Sequence, residues 1–397
     1  MCISVCINLG LLFYFKYSNF FVENVNHVLS RIGVKEITWV KLALPIGISF
    51  YTFETITYVV DVYRGIHKPL RNFWDYQLYI ILFPKLIAGP IIRFHDFADQ
   101  IYDHTGYETM DNRLRGLYRF FIGLGKKVLI ANVLGETADL IFKMPHGELG
   151  TITAWFGALS YTFQIYFDFS GYSDMAIGLG LMMGFRFPEN FNNPYTSLSV
   201  TDFWRRWHIT LGNWMRDYLY IPLGGNRVKN KWRLYFNLWL VFLASGLWHG
   251  AAWGFILWGA YHGFFLILER LFLGKWLAKM GNAAVLYTFP VVMVGWVFFK
   301  AEYFHESLGY FQRMLSWHAG TAAWQPGKEY ITMLIIAAFF SFCTITQWGK
   351  YLQQKIFYNI YSLKMHYAMA VAALLLCIIS AGRITVSSFN PFIYFRF

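Results

Sequence analysis

The chain has 397 residues, of which 57% are hydrophobic and only 14% charged. Soluble domains carry about a quarter charged residues, so this composition excludes an ordinary soluble domain and points to a membrane protein. A net charge of +12 would suit nucleic acid, but the charges lie between apolar runs and form no solvated basic domain. That leaves a membrane surface or an anionic substrate as the partner.

A spanning helix needs about 20 mostly apolar residues. In chain order the candidates are 3–22, 40–60, 74–92, 116–140, 151–184, 234–268, 284–299, 330–348 and 367–382. Two are too long for one crossing. The segment 151–184 is expected to break at Gly171 or at Gly178-Leu179-Gly180, and 234–268 at Gly246 or Gly250. Roughly nine to eleven crossings or re-entrant pieces follow. The first run meets Lys16 after Phe15 without a small-residue cleavage site, so no cleavable leader is expected. Repeats and low-complexity tracts are absent, and residues 1–397 read as one all-α polytopic domain with its functional core at about 160–270. Cys2, Cys6, Cys343 and Cys377 contain no Cys-x-x-Cys pair and read as small core residues rather than a metal site or disulfide framework.

Loop lysines and arginines set orientation. The loop 349–366 holds Lys350, Lys355 and Lys364 with no acid. Region 186–233 carries Arg186, Arg205, Arg206, Arg216, Arg227, Lys229, Lys231 and Arg233 against Glu189, Asp202 and Asp217. Both are expected to face the cytoplasm. The acidic loop 93–115 does not fix a side.

The polar residues concentrate in 201–250. Read as one helix, 201–217 starts at a Thr201 or Asp202 cap and places Trp204, Trp207, His208, Leu211, Trp214 and Met215 on one face. This is the pattern of an interfacial or re-entrant helix. His208 stands where the periodicity would put a hydrophobe, which leaves open a packed histidine bonded to a neighbour or a functional one. The arginines on the other face read first as lipid-headgroup anchors. Pro222 and Gly224-Gly225-Asn226 mark a turn, with a phosphate loop as the weaker alternative.

From Leu234 to Leu268 there is no formal charge, and His249 and His262 stand alone among apolar residues. In a straight helix from Arg233, His249 would lie about 24 Å along the axis, inside a hydrocarbon core about 30 Å thick. An intramembrane ionisable residue is a functional candidate, and a neutral imidazole is the form a general base requires. His262 is expected to pack at the interface. Asp168 and Asp174 are read as structural, bonded to backbone N–H groups freed by a break at Gly171, and Glu54 similarly. Paired-carboxylate hydrolase chemistry, a Gly-x-Ser-x-Gly elbow and a metal cluster are not indicated. A membrane enzyme and a transporter or flippase of an envelope precursor with a histidine relay both fit these residues.

Several stretches carry a resemblance: Leu44 to Phe53, Phe83 to Pro90, Tyr166 to Asp174, Asp202 to Arg227, Leu247-Trp248-His249-Gly250, and Pro391 to Phe397. Together they resemble the membrane-bound O-acyltransferases (MBOAT), and most closely the bacterial branch concerned with alginate O-acetylation. The resemblance implies a helical bundle with re-entrant or interfacial helices around a central tunnel. It implies that His249 is catalytic with His208 as its partner, and that Arg205, Arg206, Arg216 and Arg227 meet the phosphates of acetyl-coenzyme A. That thioester is a substrate; no resident cofactor and no metal is implied. The implied reaction is acetyl transfer across the bacterial inner membrane toward an exported polysaccharide, alginate first and cellulose or peptidoglycan next. A periplasmic or membrane-anchored polysaccharide acetyltransferase is the implied partner, with no nucleic acid. Family members usually carry further hydrophobic segments before the stretch similar to Asn8 to Leu12, so the resemblance implies a short form or a truncated gene product, with the motif core present.

Overall fold

The computed structural model describes residues 1–87, 89–301, 303–321 and 324–386. The stretch Pro391 to Phe397 and Ala88 of the motif at 83–90 lie outside these. Among the described residues the regular elements are helical, with one isolated antiparallel bridge between Phe191 and Trp207, as the all-α expectation requires.

The longer helices are α1 (Cys2–Arg31), α2 (Ile48–Tyr63), α3 (Phe73–Ile81), α4 (Phe94–Tyr102), α5 (Met110–Gly125), α6 (Asn132–Phe142), α7 (Thr151–Met182), α8 (Val200–Arg206), α9 (Ile209–Trp214), α10 (Lys231–His249), α11 (Trp253–Leu268), α12 (Val285–Lys300), α13 (Phe304–Leu315), α14 (Lys328–Phe342) and α15 (Leu363–Val386). Among the described residues, four helical runs are long and apolar enough to cross a membrane: Cys2–Arg31, Trp253–Lys300, Lys328–Ile345 and Leu363–Val386.

Three expected segments differ from the structure. Residues 40–47 of the expected span 40–60 are not helical, and α2 begins only after Gly47, whose φ of 77° is left-handed. A Cβ on Gly47 would meet the Leu86 carbonyl oxygen at 2.9 Å. This close approach seats the start of α2 on the turn Phe83–Leu86. The expected span 74–92 is not one helix either. α3 has 9 residues, about 14 Å, and stops before Pro84, which lacks the N–H that would continue the ladder.

The third difference is α7, which runs unbroken through Gly171 and Gly178 for 32 residues, about 48 Å. Its glycines serve packing instead. A Cβ on Gly123 would meet the Gly171 carbonyl oxygen at 2.4 Å, and one on Gly116 would meet that of Gly178 at 2.5 Å. Two glycine pairs thus let α5 and α7 cross almost backbone to backbone. Such contact substitutes for the hydrophobic drive that lipid cannot supply.

With no break, Asp168 and Asp174 are not bonded to freed backbone amides. Asp174 pairs with Arg119 at 2.8 Å and Lys126 at 2.6 Å, Arg119 also holds Glu189, and Asp168 pairs with Lys127 at 2.8 Å. Their structural reading stands, with cations of α5 and the following π-turn as partners. Glu54 of α2 is likewise buried against Lys85. Removing one member of such a pair leaves an uncompensated buried charge, at about 3–5 kcal/mol. By contrast, the break at Gly250 is present: α10 ends at His249, α11 starts at Trp253, and a Cβ on Gly246 would meet the Phe255 carbonyl oxygen at 2.2 Å. His262 is fully buried rather than interfacial, packed on Trp204 and Trp258.

At the edge of the bundle, the buried carboxylate of Asp61 accepts from Tyr218 Oη at 2.7 Å and from His95 Nδ1 at 2.8 Å. That hydrogen bond raises the His95 pKa above its ordinary value.

Two predictions follow from this packing. Gly123→Ala forces the α5–α7 backbones apart and lowers stability by about 1–3 kcal/mol. Gly10→Ala, with nothing within 4 Å, gains roughly 0.5–1 kcal/mol from helix entropy. Thermal unfolding in detergent reads both signs. For His95 the folded pKa lies above the unfolded one, so its contribution is full below about pH 6.5 and is lost as pH rises through the folded pKa. The thermal midpoint of wild type therefore falls across that rise, and His95→Gln flattens the fall.

Candidate active site

The expected helix 201–217 is two helices. α8 ends at Arg206 and α9 begins at Ile209, with His208 between them at φ 45° and ψ 53°. A left-handed non-glycine residue costs about 1–3 kcal/mol and persists only where its surroundings over-determine it. Here they do. Asn192 N–H donates to the Arg206 carbonyl at 2.9 Å, Ile209 N–H donates to the Asn190 carbonyl at 3.0 Å, and Phe191 bridges Trp207. Segment 190–192 is thus strapped antiparallel to 206–209. The apolar face still holds: Trp207, His208, Leu211, Trp214 and Met215 are all buried. The helix start differs as well. Ser199, rather than Thr201 or Asp202, accepts the capping bond from Asp202 N–H at 3.0 Å. Glu269 holds the Val200 and Thr201 N–H groups at 2.6 and 2.9 Å.

Asn190 is fully buried, and its Oδ1 accepts from His208 Nδ1 at 3.0 Å, from Thr210 Oγ1 at 2.9 Å and from Thr210 N–H at 3.4 Å. A backbone N–H can only donate, so the Asn190 atom it meets is the oxygen, and the proton in the histidine contact sits on His208 Nδ1. In the neutral ring, Nε2 then carries the lone pair, and it has no partner among the described residues.

His249 is the last residue of α10 and is 5% exposed. Its ring meets Trp248 at 5.0 Å and Trp258 and Phe299 each at 5.2 Å, while Phe169 of α7 covers His208 at 4.7 Å. The two imidazole centroids lie 6.3 Å apart. The structure therefore brings together the two histidines that the sequence singled out 41 residues apart (249 minus 208).

Two cavities matter here: the first touches His249, and the second reaches Arg206, two residues before His208. One, of about 140 Å³, is lined by His249, Trp248, Lys16, Ser49, Gly47 and Ile87. The other, of about 340 Å³, is lined by Arg206, Lys350, Asn192, Asn193, Thr196 and Gln353. Asn193 Nδ2 donates to Gln353 Oε1 at 2.9 Å, so the two basic regions expected on one side of the membrane meet. The four candidate arginines do not converge. Arg206 reaches the larger cavity while bonded to Asp202, Arg216 pairs with Asp217 at 2.7 Å, and Arg205 and Arg227 are exposed. Among the described residues no cluster of His, Cys, Asp and Glu suits a metal ion.

Sequence reading missed Asn190 and Lys16. Asn190 gave no signal among the neighbouring asparagines. Lys16 did, as a lone cation in an apolar run.

Residues 64–299 match the model of the membrane-bound O-acyltransferase family, MBOAT. The chain is 42% identical to the probable alginate O-acetylase AlgI of Pseudomonas putida over 410 residues, covering 100% of this chain and 84% of the relative. It is 37% identical to the peptidoglycan O-acetyltransferase of Helicobacter pylori over 431 residues, covering 98% and 81%. The teichoic acid D-alanyltransferase of Bacillus subtilis is 31% identical over 281 residues, covering 66% and 70%. With its helical fold and apolar runs, the chain belongs to the membrane-bound O-acyltransferase family and is a membrane acyltransferase.

Proposed function

We propose that this protein moves acetyl groups from cytoplasmic acetyl-coenzyme A, across a bacterial inner membrane, for O-acetylation of an exported polysaccharide, with alginate as the first candidate. The observation that carries the reading is the buried His208–His249 pair, 6.3 Å apart, with one cavity at His249 and a second at Arg206 near His208. Similarity to an alginate O-acetylase over the full chain supports the acceptor class.

α10 starts in the basic region and rises 19 residues to His249, about 28 Å, before α11 returns. The larger cavity includes Asn282 and Val285 beyond the return, and so belongs to the basic end. Arg206 and Lys350 there suit the phosphates of coenzyme A. The smaller cavity touches His249 at the other end of α10 and receives the acceptor hydroxyl. Donor and acceptor thus approach from opposite sides, and a base deep in the membrane serves both.

In the reaction His249, as the neutral base, takes the acceptor hydroxyl proton. The oxygen attacks the thioester carbonyl, the C–S bond breaks, and the departing thiolate recovers the proton as the coenzyme A thiol. His208 contributes through Nε2. Its Nδ1 proton is committed to Asn190, so it accepts a hydrogen bond and orients the nucleophile rather than donating to an oxyanion. The aromatic rings around both imidazoles exclude water that would hydrolyse the thioester. The acetyl group passes onward to a periplasmic or membrane-anchored acetyltransferase as partner.

Inverted membrane vesicles given labelled acetyl-coenzyme A test this. With folded protein matched, His249→Ala is expected to lower transfer about 10²- to 10⁴-fold, the range of a general base. Full transfer in that variant would sink the base assignment. Asn190→Ala releases the His208 tautomer and is expected to cost about 2- to 10-fold, the worth of a neutral hydrogen bond. An equal loss in both variants would contradict the division of roles.

A further inference from the structure

Lys16 is the first charge in the chain, and it is 8% exposed within α1. It sits in the π-turn Phe13–Tyr17, where the helix widens. Its ammonium donates to the Trp248 carbonyl at 2.5 Å, to the His249 carbonyl at 3.3 Å and to Ser49 Oγ at 3.1 Å. The next residue, Tyr17, donates its hydroxyl to the Leu247 carbonyl at 2.7 Å. The Gly246 carbonyl accepts from Gly250 N–H at 3.3 Å. The last four carbonyls of a helix have no partner within it, and in α10 three of them are satisfied from α1.

All three ammonium protons are engaged, so Lys16 has none left to hold a ligand. Its position matters for another reason. The Trp248 and His249 carbonyls belong to the peptide planes on either side of the His249 Cα. Fixing both planes fixes the direction in which the imidazole leaves the backbone. A cation there also faces the negative end of the α10 dipole. The ladder of α10 stops at Gly250.

We infer that Lys16 and Tyr17 are positioning residues that clamp the last turn of α10 from α1 and so set where the His249 ring stands for proton transfer. The inference rests on the reading of His249 as the base. A displacement of about 1 Å in a reacting group can cost on the order of 10²-fold in rate. Loss of the clamp therefore lowers turnover and leaves thioester binding, which lies at the other cavity, unchanged.

The test is made on the full chain in the same vesicles, with kcat per folded molecule and KM for acetyl-coenzyme A measured separately. Lys16→Met is expected to lower kcat about 10- to 100-fold with KM unchanged within about twofold. Tyr17→Phe, which removes one neutral donor, is expected to lower kcat about 2- to 10-fold. Lys16→Arg, which keeps charge and donors beside the small cavity, restores most of the loss. A wild-type kcat in both Lys16→Met and Tyr17→Phe would overturn the clamp while leaving the base assignment intact, provided His249→Ala in parallel is inactive. A loss confined to KM would also overturn it. If Lys16→Met does not fold, Tyr17→Phe and Lys16→Arg decide alone, and an unchanged kcat in Tyr17→Phe then overturns the clamp. Full transfer in His249→Ala overturns both readings.

Discussion

The constraint on which the site depends is the single left-handed residue between α8 and α9. Without that bend, 201–217 would run on as one straight helix. With it, the chain turns and the imidazole is held by Asn190 against Phe169 of the central helix. The strap of residues 190–192 holds the backbone, and the Asn190 carboxamide holds the side chain and its tautomer. One short segment thus fixes both conformation and proton position.

Much of this was legible before the fold. The two histidines, the two basic regions that meet through Asn193 and Gln353, and the hinge at Gly250 stand out as polar groups and glycine placed in apolar sequence. The motifs at 44–53 and 83–90 also converge, because α2 starts on the turn that carries Lys85, whose ammonium meets Glu54.

What was not legible has a common cause. Glycine in an apolar helix reads as a breaker by propensity, yet at Gly171 and Gly178 it is a contact surface, and sequence alone does not distinguish these uses. The bend at His208 was hidden because periodicity continues through it: the same face stays buried on both sides of the break. The partners of Asp168, Asp174 and His208 lie on other segments, so no local pattern could name them. Buried polar groups in membranes are satisfied by tertiary contacts, and those emerge only when helices are docked.

The pairing of α7 with α5 bears on how the chain enters the bilayer. Asp168 lies near the middle of the long helix α7 and Asp174 lies further along it, and an aspartate at the centre of an isolated helix costs about 2.5–3.5 kcal/mol to insert. Their cations, Lys127, Arg119 and Lys126, come earlier in the chain and would bear a similar cost alone. Neither segment partitions well by itself, whereas the two together present lipid with neutralised charge and an interlocked glycine seam. Insertion of this core is therefore an event for a helical hairpin, and the segments that carry His208 and His249 enter a membrane in which their scaffold already stands.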